Sequence, residues 1–164
     1  MAKPTKNAPI ICTIVTIIAL IGVIVGLYYN ITLIAILGLL PAVIYEAYRT
    51  EGKSTKTSSY ILLGVLIAEI ILILFNINFN LAEYLDSTQE YIGGYLVPLG
   101  DIQTLGPTLM AVLSVILFVR TRGVYTRWLA AVIFFTSFVI IYSINPLIFN
   151  DLIKNAVQQG IRRF

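Results

Sequence analysis

A single carboxylate lies in the middle of the stretch LLGVLIAEIILIL, residues 62–74, which has no other polar side chain. An acidic residue at the centre of a membrane-length apolar run costs about 2.5–3.5 kcal/mol to insert, so it normally faces a bundle interior or a water-filled cavity. No Lys or Arg lies within any long apolar run of the chain, so Glu69 has no evident ion-pair partner. Burial without a counter-charge disfavours the ionised carboxylate. We therefore expect Glu69 to be protonated at neutral pH.

A protonated Glu69 would donate a hydrogen bond to a neighbouring helix. The candidate acceptors are hydroxyl groups of the fourth and fifth apolar runs: Ser114, Thr136, Ser137 and Ser143. In one interpretation this bond only fixes helix packing, which is worth about 0.6–2 kcal/mol. In the other, Glu69 takes up and releases a proton or a monovalent cation, as buried acids do in pumps and channels. The sequence leaves both open, although a conducting path would have only Glu46, Tyr60 and Asn76 as further polar stations.

Glu46 stands near the end of the second apolar run, three residues before Arg49. Residues at this spacing are neighbours on a helix surface, and opposite charges there attract. We expect an interfacial ion pair between Glu46 and Arg49.

Several kinds of chemistry are excluded by composition. The chain has no His, which removes the commonest metal ligand and the usual proton shuttle at physiological pH. Its one Cys, Cys12, lies in the first apolar run, where we expect a buried structural thiol. The motifs of phosphate-binding loops, zinc proteases and serine hydrolases are all absent. We expect no enzyme, no bound metal and no cofactor.

The elements that position Glu69 follow from hydropathy. The 164 residues are 59% apolar and 12% charged, with a mean hydropathy of +0.92, whereas soluble domains are about 25% charged. A bilayer core takes about 20 apolar residues as a helix. Five runs of this kind predict spans at about 10–28, 31–48, 60–78, 104–119 and 128–149. We predict an all-α, polytopic membrane bundle forming one domain over residues 1–164, with an amphipathic helix at 151–164.

Small residues recur at a spacing of four in three consecutive spans. The pairs are Gly22 and Gly26, Gly38 and Ala42, and Gly64 and Ala68. Small residues at this spacing let membrane helices approach closely. We expect all three pairs to lie where two helices pack against each other, and Ala68 to bring the neighbouring Glu69 to such an interface. We also expect Glu69 to lie at the centre of its span.

The charges predict an orientation. Basic residues occur in the N-terminal tail, in 49–59 and in 120–127, whereas the 79–103 segment carries four acids and no Lys or Arg. The positive-inside rule places the basic segments in the cytoplasm. Five spans then leave the C-terminus outside, although Lys154, Arg162 and Arg163 favour the opposite side. We expect a cell membrane protein with a cytoplasmic N-terminus.

These features favour a small structural or accessory subunit of a larger membrane assembly. Its expected partners are the lipid bilayer and other membrane subunits or further copies of itself. Nucleic acid is not expected, because the 11 Lys and Arg residues sit in short groups between apolar runs and not on one basic face. The alternatives are an oligomeric proton or cation channel centred on Glu69 and a viral envelope protein.

Overall fold

A computed structural model describes residues 7–77, 89–92, 95–98, 102–147, 149–150, 153–154 and 157. Its architecture is an all-helical bundle of five long helices. They are α1 (Ala8–Tyr29), α2 (Thr32–Arg49), α3 (Lys53–Leu74), α4 (Ile102–Arg120) and α5 (Val124–Ile144). Each is long and apolar enough to cross a membrane. The predicted fold class is confirmed, and the architecture is compatible with a multi-pass membrane protein.

The first two helices form a tight hairpin. Helix α1 ends at Asn30, which adopts the left-handed conformation (φ 53°) and donates its backbone N–H to the carbonyls of Gly26 and Leu27. The next backbone N–H, that of Ile31, also bonds to the Gly26 carbonyl, at 2.9 Å. This is the C-terminal arrangement that satisfies free helix carbonyls. The first two predicted spans are therefore joined by a tight turn at Asn30.

Helix α2 is the central element of the bundle. It packs against α1, α3 and α5, while α3 also packs against α4, and α5 also packs against α1 and α4. The core is aliphatic, with Ile36, Leu39, Leu62, Leu66 and Ile133 among its fully buried members. Consecutive helices run in opposite directions, so residues 49–59 and 120–127 lie at the same end of the bundle. We call this the basic end, and the end where α3 stops and α4 starts the distal end.

The observed bounds differ from the predicted spans mainly at α3 and α5. Helix α3 starts at Lys53 because the polar stretch 53–59 continues the helix, and it ends at Leu74, followed by left-handed Asn76 (φ 50°). Helix α5 runs from Val124 to Ile144, about one turn earlier than predicted.

Two regions beyond the five helices were also the subject of predictions. Two short strands, β1 (Gln89–Ile92) and β2 (Tyr95–Pro98), pair antiparallel in the acidic 79–103 segment, where no span was predicted. The predicted amphipathic tail 151–164 falls almost entirely outside the described residues. Of that tail only 153, 154 and 157 are described, as helical and exposed.

Candidate functional site

Glu69 lies between α3 and α4 and is only 1% exposed. It belongs to the buried stripe of α3, which also contains Ser59, Leu62 and Leu66. Its carboxyl group packs directly on Gly106 of α4. A Cβ placed on Gly106 would lie 2.9 Å from the Glu69 Cδ and closer still to Oε2. Any side chain at this position of α4 would meet the carboxyl group of Glu69 where it now lies, so the end of the Glu69 side chain would have to move.

Neither carboxyl oxygen of Glu69 has a hydrogen-bond partner among the residues that the structure describes. The expected bonds to hydroxyl groups of the fourth and fifth helices are not formed. Ser114 donates to the Ala111 carbonyl at 2.6 Å, and Ser137 donates to the Ile133 carbonyl at 2.8 Å. Each hydroxyl group thus satisfies a carbonyl of its own helix, which is a local alternative open to Ser and Thr.

Geometry explains why those partners are out of reach. Ser114 stands eight residues along α4 from Gly106, about 12 Å toward the basic end. Thr136, Ser137 and Ser143 belong to α5, which packs on α1, α2 and α4, while α3 packs on α2 and α4. The structure therefore brings Glu69 together with Gly106 and not with the four predicted hydroxyl groups.

The depth of Glu69 also differs from the expectation. Because α3 ends at Leu74, Glu69 lies five residues from its C-terminal end, about 7.5 Å along the axis. Gly106 is correspondingly near the start of α4 at Ile102. Glu69 is buried near the distal end of the bundle, not at mid-span.

Glu46 is a second buried carboxyl group, at the basic end and 0% exposed. Its Oε1 accepts hydrogen bonds from Thr50 Oγ1 at 2.5 Å and from Ser59 Oγ at 3.1 Å, and Oε2 has no partner among the described residues. The predicted ion pair with Arg49 is wrong. Glu46 faces α3, whereas the Arg49 guanidinium stacks on aromatic rings of α2 and α5.

Two of the three small-residue pairs pack inside the bundle. A Cβ on Gly22 would lie 2.8 Å from the Gly38 Cα, and a Cβ on Gly26 would lie 3.0 Å from the Ala35 Cβ. Ala42, the partner of Gly38 in the second pair, is fully buried in the core. The close approach of α1 and α2 expected from these glycines is therefore present.

The third pair does not pack against another of the described helices. Gly64 and Ala68 are both exposed, and a Cβ placed on Gly64 would meet nothing within 4 Å. Glu69 is buried on a different side of α3, so Ala68 does not bring it to an interface as expected. The reason is the helical period: Ser59, Leu62, Leu66 and Glu69 form one stripe, and Gly64 and Ala68 lie outside it.

Sequence reasoning missed Gly106, Ser59 and the surroundings of Arg49. Gly106 precedes Pro107 inside α4, and this Gly-Pro pair was the available signal for an unusual packing position. Cys12 is a buried free thiol, as predicted.

Among the described residues, no group of three His, Cys, Asp or Glu side chains could hold a metal ion. Comparison with known proteins adds no relative: no family model, no curated protein and no solved structure matches the chain.

Proposed function

We propose that this protein is a small, non-catalytic membrane subunit that assembles with a transmembrane helix of another membrane protein through the outer face of α3. The observation that carries the proposal is the open Gly64 and Ala68 pair. The same motif in α1 and α2 is used for close packing inside the bundle, whereas here it faces outward.

The outer face of α3 has the shape that a helix partner needs. Ile61, Ile67 and Ile71 are exposed on the same side of α3 as the small pair. By helix geometry the two small residues then lie in a shallow groove between larger apolar side chains. Helices associate in lipid by van der Waals packing, and small residues allow the backbones to approach. A lipid chain gains no comparable advantage from two small residues placed one turn apart.

The decisive experiment is purification from native membranes with wild-type protein and a Gly64→Leu variant. We expect wild type to carry partner subunits at a fixed stoichiometry and the variant to lose them. The variant should fold, because no atom of the described residues lies within 4 Å of the added Cβ. Ile67→Leu, on the same face without blocking the groove, is the matched control. Wild-type protein that purifies without a partner, or a Gly64→Leu variant that keeps it, contradicts the proposal.

A second candidate function is translocation of a proton or a monovalent cation through Glu69. It is favoured by one observation, the full burial of a carboxyl group without a partner among the described residues. Against it, Leu62 and Leu66 separate Glu69 from Ser59 on the buried stripe of α3, over about 15 Å. Proton or cation flux into liposomes that is present with wild type and lost with Glu69→Gln would support this function. Equal flux with both proteins would contradict it.

For the orientation, we propose that the basic end faces the cytoplasm of a cell membrane and that the C-terminus lies outside. Support comes from the Lys and Arg residues of 49–59 and 120–127.

A further inference from the structure

Arg49 is a buried cation at the basic end of the bundle. It is the last residue of α2 and is only 5% exposed. Its Nε and Nη1 have no hydrogen-bond partner among the described residues. The rings of Tyr45 and Tyr125 flank the guanidinium, with 5.8 and 5.4 Å from Cζ to the ring centroids, and the Cys12 thiol lies beside it.

Among the described residues, no carboxylate accepts a hydrogen bond from Nε or Nη1 of Arg49. Arg does not lose its proton in proteins, so its charge must be balanced by attraction. Glu46 is three residues away but directs its bonded oxygen to Thr50 and Ser59. The C-terminal carbonyls of α2 supply a partial negative charge, yet they leave two guanidinium donors of Arg49 unused.

The surroundings favour an anion. The basic end combines Arg49 with Lys53, Lys56, Arg120, Arg122 and Arg127, against only Glu46 and Glu51. The exposed aromatic side chains Tyr48, Tyr60 and Trp128 lie at this same end. Aromatic rings of this kind mark the level of lipid headgroups in membrane proteins.

We propose that Arg49 binds a phosphate oxyanion at the level of the headgroups, with Nε and Nη1 as donors and the two tyrosine rings holding the guanidinium in place. Phosphate is the anion that lies at this level in a bilayer, and Arg suits it because of its planar, always charged donor set. Tyr125 is itself exposed, so rotation of its ring opens the guanidinium to the lipid interface. The site does not depend on the outer face of α3.

The test uses the full chain in nanodiscs of phosphatidylcholine, with and without phosphatidylglycerol, and with inorganic phosphate as a third arm. We expect the anionic lipid to raise the midpoint of thermal unfolding and to remain bound in native mass spectrometry. Arg49→Gln should bind it about tenfold more weakly or worse, the loss of a charged hydrogen bond. Arg122→Gln removes the same charge from an exposed position of the same end and should bind as wild type does.

The three conditions of this experiment distinguish a lipid headgroup from soluble phosphate as the bound anion. Stabilisation by inorganic phosphate in pure phosphatidylcholine, lost in Arg49→Gln, supports the site and assigns it to soluble phosphate. Arg49→Lys covers the case in which Arg49→Gln does not fold, because it keeps the charge but lacks the planar donors. The proposal is overturned if Arg49→Lys binds phosphate as tightly as wild type does, or if the Arg49 and Arg122 variants lose the same affinity. It is also overturned if the wild-type protein responds to neither source of phosphate.

Discussion

Glu69 combines two features that are individually costly in a membrane helix. It is a fully buried carboxyl group, and neither of its oxygens has a partner among the described residues. A buried polar group without a hydrogen bond costs about 1–3 kcal/mol. The chain also keeps a glycine at position 106, where the Glu69 side chain would exclude a Cβ. If Glu69 served packing alone, an apolar side chain of similar length would do this better.

Replacing Glu69 by Met tests this reasoning directly. Met has a similar length, is unbranched and leaves no polar atom to satisfy, so it should raise the free energy of unfolding by about 1–3 kcal/mol. The measurement is reversible unfolding in mixed micelles by SDS titration, with Ile67→Met on the exposed face as the control. A loss of stability in Glu69→Met would instead mean that the carboxyl group holds a ligand or a network that Met cannot hold.

Contacts between elements depend on glycine at two places, the α1–α2 hairpin and the α3–α4 interface. At the hairpin, Gly22→Ala would place a Cβ 2.8 Å from the backbone of Gly38. Backbone atoms cannot rotate away, so the helices must separate. We expect a loss of about 1–3 kcal/mol in unfolding free energy.

The control is Gly64→Ala, which adds a methyl group to an exposed position of α3. It should leave the unfolding free energy unchanged or raise it by up to about 1 kcal/mol, because Ala has the higher helix propensity. Equal effects of the two substitutions would contradict the observed packing.

The α3–α4 interface gives a coupled pair. Gly106→Ala should destabilise the bundle by about 0.5–1.5 kcal/mol, because the added methyl group forces the Glu69 side chain away from its present rotamer. Adding Glu69→Ala should remove most of that specific cost, since the two residues share one contact. A double-mutant cycle in the same unfolding assay measures this coupling. Additive effects would show that Gly106 is important for another reason.

The helices and the close contact of α1 with α2 were predictable from the sequence, whereas the packing face of α3 was not. Length and hydropathy predicted five spans, because a bilayer-sized helix needs a long apolar run. In α3, however, apolar residues cover the whole circumference. Leu62 and Leu66 are fully buried while Ile61 and Ile67 are exposed, although their side chains are equally apolar. Apolar pattern alone therefore did not show that Gly64 faces outward or that Glu69 meets Gly106.

At the scale of the whole molecule, the sequence groups most of its basic residues apart from most of its acidic residues. Six of the 11 Lys and Arg residues lie at the basic end, in residues 49–59 and 120–127, while four of the eight acids lie in the 79–103 segment. In the orientation proposed above, five crossings would put the two chain termini on opposite sides of the membrane. The basic residues of the C-terminal tail then lie on the side that the positive-inside rule disfavours. This conflict makes the orientation the property most worth measuring.

The lone cysteine makes that measurement simple, because Cys12→Ser gives a cysteine-free background. Single cysteines are then introduced at Arg122 on the basic end, at Tyr28 on the distal end and at Asn150 beyond α5, all exposed positions. In intact cells, a membrane-impermeant maleimide should label the Tyr28 and Asn150 variants, and the Arg122 variant only after permeabilisation. Labelling of Arg122 and protection of Tyr28 would invert the orientation. Protection of Asn150 alongside labelling of Tyr28 would show that the chain does not cross at α5, because the tail charges prevail over its hydropathy.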